Sequence, residues 1–292
     1  MKRVLCIAGS CCDLIFGGLP KLPALGEEIY GSHFSMQAGG GANTAVQLAR
    51  CGVPTDFWTL LGDDLPGQIV RETLIKSRLN LVSHGQTAAR TPVSAVLSTR
   101  TDRALASFGE EGPLIENMDA LTEAIKVADI VHTFLGYCEA FPIPALCERF
   151  GAILSVDTSF CDARGELFET VLPHCDYWKG NETEAKKLTG ASDVFEALKL
   201  LSDRVKQGAV ITRGEQGSIG ATHGGAIIEQ PVIVCGAFVD ACGAGDAYAA
   251  GFLSGLAQDE PFSACMQRGA ALAGRVVTGF GGCPEMPTVP CE

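Results

Sequence analysis

Asp240-Ala241-Cys242-Gly243-Ala244-Gly245-Asp246 runs straight into the apolar stretch Ala247-Tyr248-Ala249-Ala250-Gly251-Phe252-Leu253. Together they read as a glycine turn that opens a helix with a carboxylate at its mouth. Small residues let the amides of Gly243, Ala244 and Gly245 converge, and the unpaired N–H groups of a helix's first turn add partial positive charge. The turn therefore predicts an anion hole. A carboxylate beside a bound phosphate is repulsive unless it has work of its own, and for Asp246 the best such role is taking a proton from an attacking hydroxyl. A plain loop-to-helix junction capped by Asp246 is the simpler alternative.

Working outward from this helix, short β-rich apolar runs alternate with helical stretches along most of the 292 residues. Val4–Ala8, Asp56–Leu61, Asp129–Thr133, Ala152–Val156, Asp176–Trp178 and Ala209–Thr212 read as strands. Ala42–Cys51, Gly67–Ser77, Pro142–Phe150, Glu182–Leu188 and Val194–Lys206 read as helices, and Ala244–Leu256 and Ser263–Thr278 as two small-residue-rich helices that pack closely. Strands without alternation are buried on both faces, which predicts an α/β fold with a mostly parallel central sheet between helix layers. Ligands on such sheets sit at the carboxyl ends of the strands. Leu14–Ser35 and Thr91–Phe108 break the rhythm with Gly, Pro, Thr and Ser and partial alternation, and read as strands of a small second sheet. It is either a lid over the site or an inert decoration. The expected division is a core of residues 1–12, 36–90 and 109–292 and a discontinuous β lid of 13–35 and 91–108.

A hydrophobic content of 47% with 19% charged residues is that of a globular chain without linker, repeat or low-complexity segment. The formal charge of −12 argues against nucleic acid or an anionic membrane as partner, because both require a basic face. Thirteen cysteines at no zinc-like spacing, mostly inside apolar runs, read as reduced, buried thiols of a cytoplasmic protein. Lys2-Arg3 and the run to Cys11 imitate a lipoprotein signal, but the apolar run is too short and reads as the first strand.

Other candidate residues lie at predicted strand ends. Ala38-Gly39-Gly40-Gly41-Ala42-Asn43 is a glycine loop entering a helix, where a ligand can approach the main chain and Asn43 either caps or bonds a hydroxyl. Asp13, just past the first strand, suits a vicinal diol or a turn. Asn181 and Glu184 share a helix face and either organise a hydrated Mg²⁺ or form a capping box. Thr212-Arg213-Gly214-Glu215-Gln216-Gly217 is a tight turn that admits a nucleotide or simply closes a hairpin. No dinucleotide fingerprint or Walker phosphate loop is present, which removes a hydride-transfer reading.

Together these pieces resemble the ribokinase-like family, the PfkB carbohydrate kinases, over nearly the whole chain. Ala38, Gly39, Gly41, Asn43, Ala45, Gly52 and Gly62 satisfy its first signature, and Leu61–Gly67 looks like its GxDxxG element. Asp240 through Leu253 is its second signature, with Ala241 and Cys242 where members carry other residues. The resemblance implies a three-layer α/β/α core with a small β-sheet lid. It also implies ATP-dependent phosphoryl transfer to a hydroxyl of a small sugar, with a nucleoside kinase as the alternative within the family. It makes Asp246 the base and assigns the amides of Gly243, Ala244 and Gly245 to the phosphoryl group. Asp13, Gly39, Gly40 and Asn43 are implied to line the sugar pocket, Asn181 and Glu184 to organise Mg²⁺, and Thr212, Gly214, Gly217 and Gly281 to contact ATP. Asp240 is the implied site of a monovalent cation such as K⁺.

The acceptor is not written in these signatures. Gly40 stands where many ribokinases have Lys, which weakens ribose. Arg90, Arg100 and Arg103 flank the lid and suit an acidic sugar or plain surface, while Phe16, Phe34 and Phe108 suit a nucleoside base or the lid's own core. A catalytically silent sugar sensor is the reading from another class. Apolar positions in Thr91–Phe108 suggest a homodimer through the lid.

Overall fold

The computed structural model describes residues 1–82, 90–99, 102–110, 115, 117–158 and 165–284. Among these, the strands of the larger sheet are β1 (Val4–Ile7), β4 (Thr55–Trp58), β5 (Asn80–Leu81), β8 (Ile130–Phe134), β9 (Ile153–Asp157), β10 (Tyr177–Asn181), β11 (Gly208–Thr212), β12 (Ser218–Thr222) and β13 (Ile228–Gln230). Their order is β13-β12-β11-β10-β9-β8-β1-β4-β5. Pairing is parallel from β5 to β11 and antiparallel at β12 and β13. The smaller sheet has β2 (Ser10–Leu19), β3 (His33–Gly40), β6 (Val93–Thr99) and β7 (Arg103–Phe108) in the order β3-β2-β6-β7. The helices are α1 (Ala42–Arg50), α2 (Leu65–Lys76), α3 (Met118–Lys126), α4 (Leu135–Ala140), α5 (Ile143–Phe150), α6 (Gly165–Thr170), α7 (Glu182–Thr189), α8 (Val194–Arg204), α9 (Ala244–Leu256) and α10 (Phe262–Val276).

The three layers follow from strand alternation inside a sheet that has no wet face. In β1, Leu5 and Ile7 enter one core with Leu121 of α3, Ile143 of α5 and Leu201 of α8. Val4 and Cys6 enter the other, with Val46 of α1, Val70 of α2, Phe252 of α9 and Met266 of α10. The close packing expected of the last two helices is realised through glycine: a Cβ on Gly251 would lie 2.4 Å from the Arg268 carbonyl oxygen. Cys6, Cys12, Cys147 and Cys175 are buried free thiols. No helix among the described residues is long and apolar enough to cross a membrane.

The small sheet is longer than the segments 13–35 and 91–108. Ser10 pairs with Gly40 and Cys11 with Gly39, so β2 begins at Ser10 and β3 runs on to Gly40. The glycine loop is therefore half strand, and Asp13 lies within β2 rather than beyond β1. The reason is pairing: β2 and β3 satisfy their backbone groups on each other up to the point where α1 begins. One face of this sheet packs inward through Ile15 and Val96 onto Cys242 and Phe280. The other presents Phe16, Phe34 and Met36 to solvent, with the two phenylalanine rings 5.1 Å apart.

Candidate active site

The mouth of α9 is built as the sequence suggests, with one difference. Gly243 caps the helix at φ 73°, in the left-handed region, and a Cβ there would fall 2.2 Å from the Gly282 Cα, so conformation and space both require glycine. The amide of Ala244 donates to the Ala241 carbonyl at 3.3 Å, leaving it partly committed. The amides of Gly243 and Gly245 make no hydrogen bond to a described residue. Two uncommitted amides, rather than three, thus accompany the positive end of the helix dipole.

Asp246 stands in the first turn, half-buried, and its Oδ2 accepts from Asn43 Nδ2 at 2.9 Å. Loss of water around the carboxyl pushes its pKa up to about 6; the Asn43 bond and the Lys179 charge resist, while Asp157 and Asp13 add repulsion. Asn43 in turn accepts from the Cys283 thiol on Oδ1 at 3.3 Å. Its side chain is used to aim Asp246, with one N–H left for a ligand.

Asp13 is 4% exposed and its Oδ1 accepts from the Cys11 thiol at 3.1 Å. Burial raises its pKa against that bond. A Cβ on Gly39 would come within 2.1 Å of the carboxylate, so Gly39 is the gap into which Asp13 fits. Gly40, at φ 63°, ends the strand in a conformation that favours glycine.

Two residues missed in the sequence complete the centre. Lys179 of β10 bonds Asp157 Oδ2 of β9 at 2.7 Å and the Gly245 carbonyl at 3.1 Å. Both partners are nearly buried, with 10% and 7% of their side chains exposed. Burial alone would lower the Lys179 ammonium, but Asp157, reinforced by Asp246 and Glu184, holds it above its ordinary value. A lysine inside an apolar strand, and an Asp ending one, are signals that point to both residues.

Asn181 and Glu184 form the capping box of α7: Asn181 Oδ1 accepts from the Glu184 amide at 2.9 Å and Glu184 Oε2 from the Asn181 amide at 2.8 Å. Burial lifts the Glu184 carboxyl, aided by Asp157 and opposed by the Asn181 amide and Lys179. Thr212 ends β11 opposite Asn181, and Gly214 and Gly217, at φ 56° and 76°, close the hairpin to β12. Apart from its chain neighbours, no atom of the described residues lies within 4 Å of where a Gly214 Cβ would stand, which leaves space for a ligand at this turn. Gly281 lies elsewhere, against the small sheet: its amide donates to Asp240 Oδ2 at 2.9 Å, and a Cβ would meet Gln37 Nε2 at 1.7 Å. The other Asp240 oxygen accepts from the Cys242 amide at 3.0 Å, making this carboxylate a clamp between the helix turn and segment 279–284.

Of the lid residues, the Arg90 guanidinium lies 5.2 Å over the Phe108 ring, Arg103 faces Ser98 across the strands, and Arg100 lies outside the described residues. Phe16 and Phe34 are paired on the outer face, away from Asp13.

The sequence profile of the pfkB family of carbohydrate kinases matches residues 1–289. A protein of Arabidopsis thaliana named ribokinase is 27% identical over 302 residues, covering 97% of this chain and 78% of that one. A nucleoside kinase of Methanocaldococcus jannaschii is 26% identical over 292 residues, covering 99% and 94%. The structure of Arabidopsis thaliana ribokinase complexed with ribose and ATP superposes with a TM-score of 0.79 at 23% identity, over 98% of this chain and 96% of that one. Adenosine kinase from Sinorhizobium meliloti gives 0.82 at 21%, over 98% and 97%. The structural likenesses carry the fold, and the profile, running through both glycine motifs, carries the family. The chain is a kinase, and it belongs to the pfkB family of carbohydrate kinases.

Proposed function

We propose that this chain transfers the γ-phosphoryl group of ATP directly to a hydroxyl of a small sugar or sugar derivative. The supporting observation is the pairing of one carboxylate, raised to about 6 and aimed by Asn43, with the uncommitted amides of Gly243 and Gly245. The acceptor hydroxyl binds with its neighbours to Asp13 beside Gly39 and Gly40, and to the remaining Asn43 N–H. Asp246 takes its proton as the oxygen attacks. The two amides and α9's positive end stabilise the charge on the transferring group, and Lys179, with one ammonium N–H left over from Asp157 and Gly245, adds a donor. No covalent intermediate is needed.

Thr212, Gly214 and Gly217 are the nucleotide's contacts; Gly281 contributes by holding Asp240 rather than by touching ATP. Among the described residues no three Asp, Glu, His or Cys side chains converge to hold a metal by themselves. Glu184 and Asp157 offer hard oxygens that fit Mg²⁺ held largely through water and phosphate. When bound, Mg²⁺ neutralises phosphate charge. A monovalent cation at Asp240 would share both oxygens with the amides of Cys242 and Gly281. The small sheet serves as the lid that excludes water, and the buried free thiols suit a reducing, cytoplasmic setting.

Release of ADP across sugars, sugar acids, sugar phosphates and nucleosides tests this reading. The outward placement of Phe16 and Phe34 removes rings that a nucleoside base would stack on, so the fastest acceptors are expected among the sugars. A nucleoside-specific result would select the alternative, and release unaffected by any acceptor would overturn phosphoryl transfer.

The pH profile is a second check. Asp246 must be ionised to accept a proton, so kcat/KM should rise about tenfold per pH unit below about 6 and level off above it. A rate that is flat down to pH ~4 would remove Asp246 as the titrating base. The apolar outer face of the small sheet supports a homodimer; sedimentation at micromolar concentrations should give twice the chain mass, and Phe34→Asp should return the monomer.

A further inference from the structure

Beside the edge strand β3 lies a cavity of about 900 Å³, walled by β3, the C-terminal turns of α1 and α2, and segment 279–284. None of Asp246, Asp13, Asn43, Lys179 or Glu184 lines it. We propose that this cavity is a second binding site, for a phosphate ester, separate from the centre where phosphoryl transfer takes place.

The first argument is charge. The chain carries a formal −12, yet among the described residues the cavity's lining includes Arg50, Lys76 and Arg78 and no Asp or Glu. Lys76 is largely exposed with Glu72 3.8 Å away on the same helix, and Arg50 donates to the Pro284 carbonyl, so both are partly compensated, while the carboxylate-poor lining still leaves a net positive rim. Arg50 and Lys76 end α1 and α2, where a cation also complements the helix dipole. Arg78 has no such explanation.

Arg78 follows the α2 cap at φ 58°, its amide bonded to the Ile75 carbonyl at 3.0 Å and that of Leu79 to the Leu74 carbonyl at 3.2 Å. These are the paired bonds of a helix stop whose left-handed residue is ordinarily glycine. An arginine there holds backbone strain that glycine would not. Its guanidinium makes no hydrogen bond or ion pair to a described residue, and Arg78 is part of the cavity's lining. The cavity is of the size that takes small ligands. The lining also includes His33 and Phe280, whose rings stack with centroids 4.4 Å apart and 16° from parallel, a flat aromatic pair on the same cavity as the cations. That combination of cations and rings suits an ester, with phosphate at Arg78 and Lys76 and its organic part against the rings.

The site also has a mechanical route to Asp246. Arg50 Nη1 donates to the Pro284 carbonyl at 2.8 Å, and the neighbouring Cys283 thiol holds Asn43, which aims Asp246. A ligand that draws Arg50 away from Pro284 loosens that series of contacts.

The test is calorimetric titration of the full chain at physiological ionic strength with inorganic phosphate, ribose 5-phosphate and ATP in separate arms. Wild type is compared with Lys76→Ala/Arg78→Gly. This double variant keeps a helix former in α2 and gives the strained position the residue its backbone prefers, so folding is preserved and turnover without added ester is unchanged. The proposal expects a binding event that weakens at least about tenfold in the variant, while ATP binding at the Thr212–Gly217 turn is retained. Equal affinity for inorganic phosphate and the esters would assign recognition to the phosphate alone; tighter esters would add the His33–Phe280 pair; both support the site. Identical isotherms in the two proteins, or binding that vanishes at physiological salt, would overturn it. The readout needs no turnover, so it stands or falls apart from the kinase mechanism.

Discussion

Asp246→Asn is expected to lower kcat by about 10²–10⁴-fold while ATP affinity stays close to that of the unaltered chain. The substitution is nearly isosteric and leaves the α9 mouth in place, because Gly243 and the Asp240 clamp build that turn without Asp246. What it removes is the acceptor for the proton. An amide cannot take one at neutral pH, so the attacking oxygen would have to lose it to solvent, a far poorer route than a positioned carboxylate. Asn43 would turn its amide to keep a bond, so stability should change little. Single-turnover kinetics with the best acceptor, paired with ATP titration, reads both quantities. A variant that keeps a tenth of the original kcat removes Asp246 as base; one that loses ATP binding as well shows a collapsed site instead.

Lys179→Met should do two kinds of damage at once. It leaves Asp157 nearly buried beside Asp246 and Glu184 without its cation, and breaking a buried pair in this way costs about 3–5 kcal/mol. It also removes the ammonium that braces the Gly245 carbonyl and, on the proposed mechanism, supplies a donor to the transferred group. Denaturant unfolding should show the loss of stability, and kcat should fall by about 10²–10³-fold. The double variant Lys179→Met/Asp157→Asn separates the two effects. Without the buried charge it should recover most of the stability and none of the turnover. If turnover returned with stability, Lys179 would be a structural residue only, and its place in the chemistry would be withdrawn.

Much of the architecture was legible because the local signals agreed with one another. Val4–Ile7 and Gly208–Thr212 have no polar alternation, and that pattern argued for burial on both sides and hence a parallel sheet between helices. The Gly243–Asp246 turn announced a helix mouth before any contact was known. Less visible were α3, which follows a segment poor in apolar periodicity, and the antiparallel β12 and β13, whose short runs carry little signal of their own.

The candidate centre divides along the same line. Residue type and spacing along the chain determined the carboxylate at a helix mouth, the glycines that let backbone approach a ligand, and the small second sheet, because each depends on neighbours within a few positions. Tertiary structure decided how they are used. It gave Asn43 the further task of holding Asp246, gave both Asp240 oxygens to backbone amides, and set Gly39 against Asp13 through strand pairing. It brought Lys179 and Asp157 together from adjacent strands 22 positions apart in the chain and gathered three cations around one cavity. Those arrangements rest on contacts between distant segments, where burial sets the strength of every charge, and burial is a property of the folded molecule rather than of any stretch of its sequence.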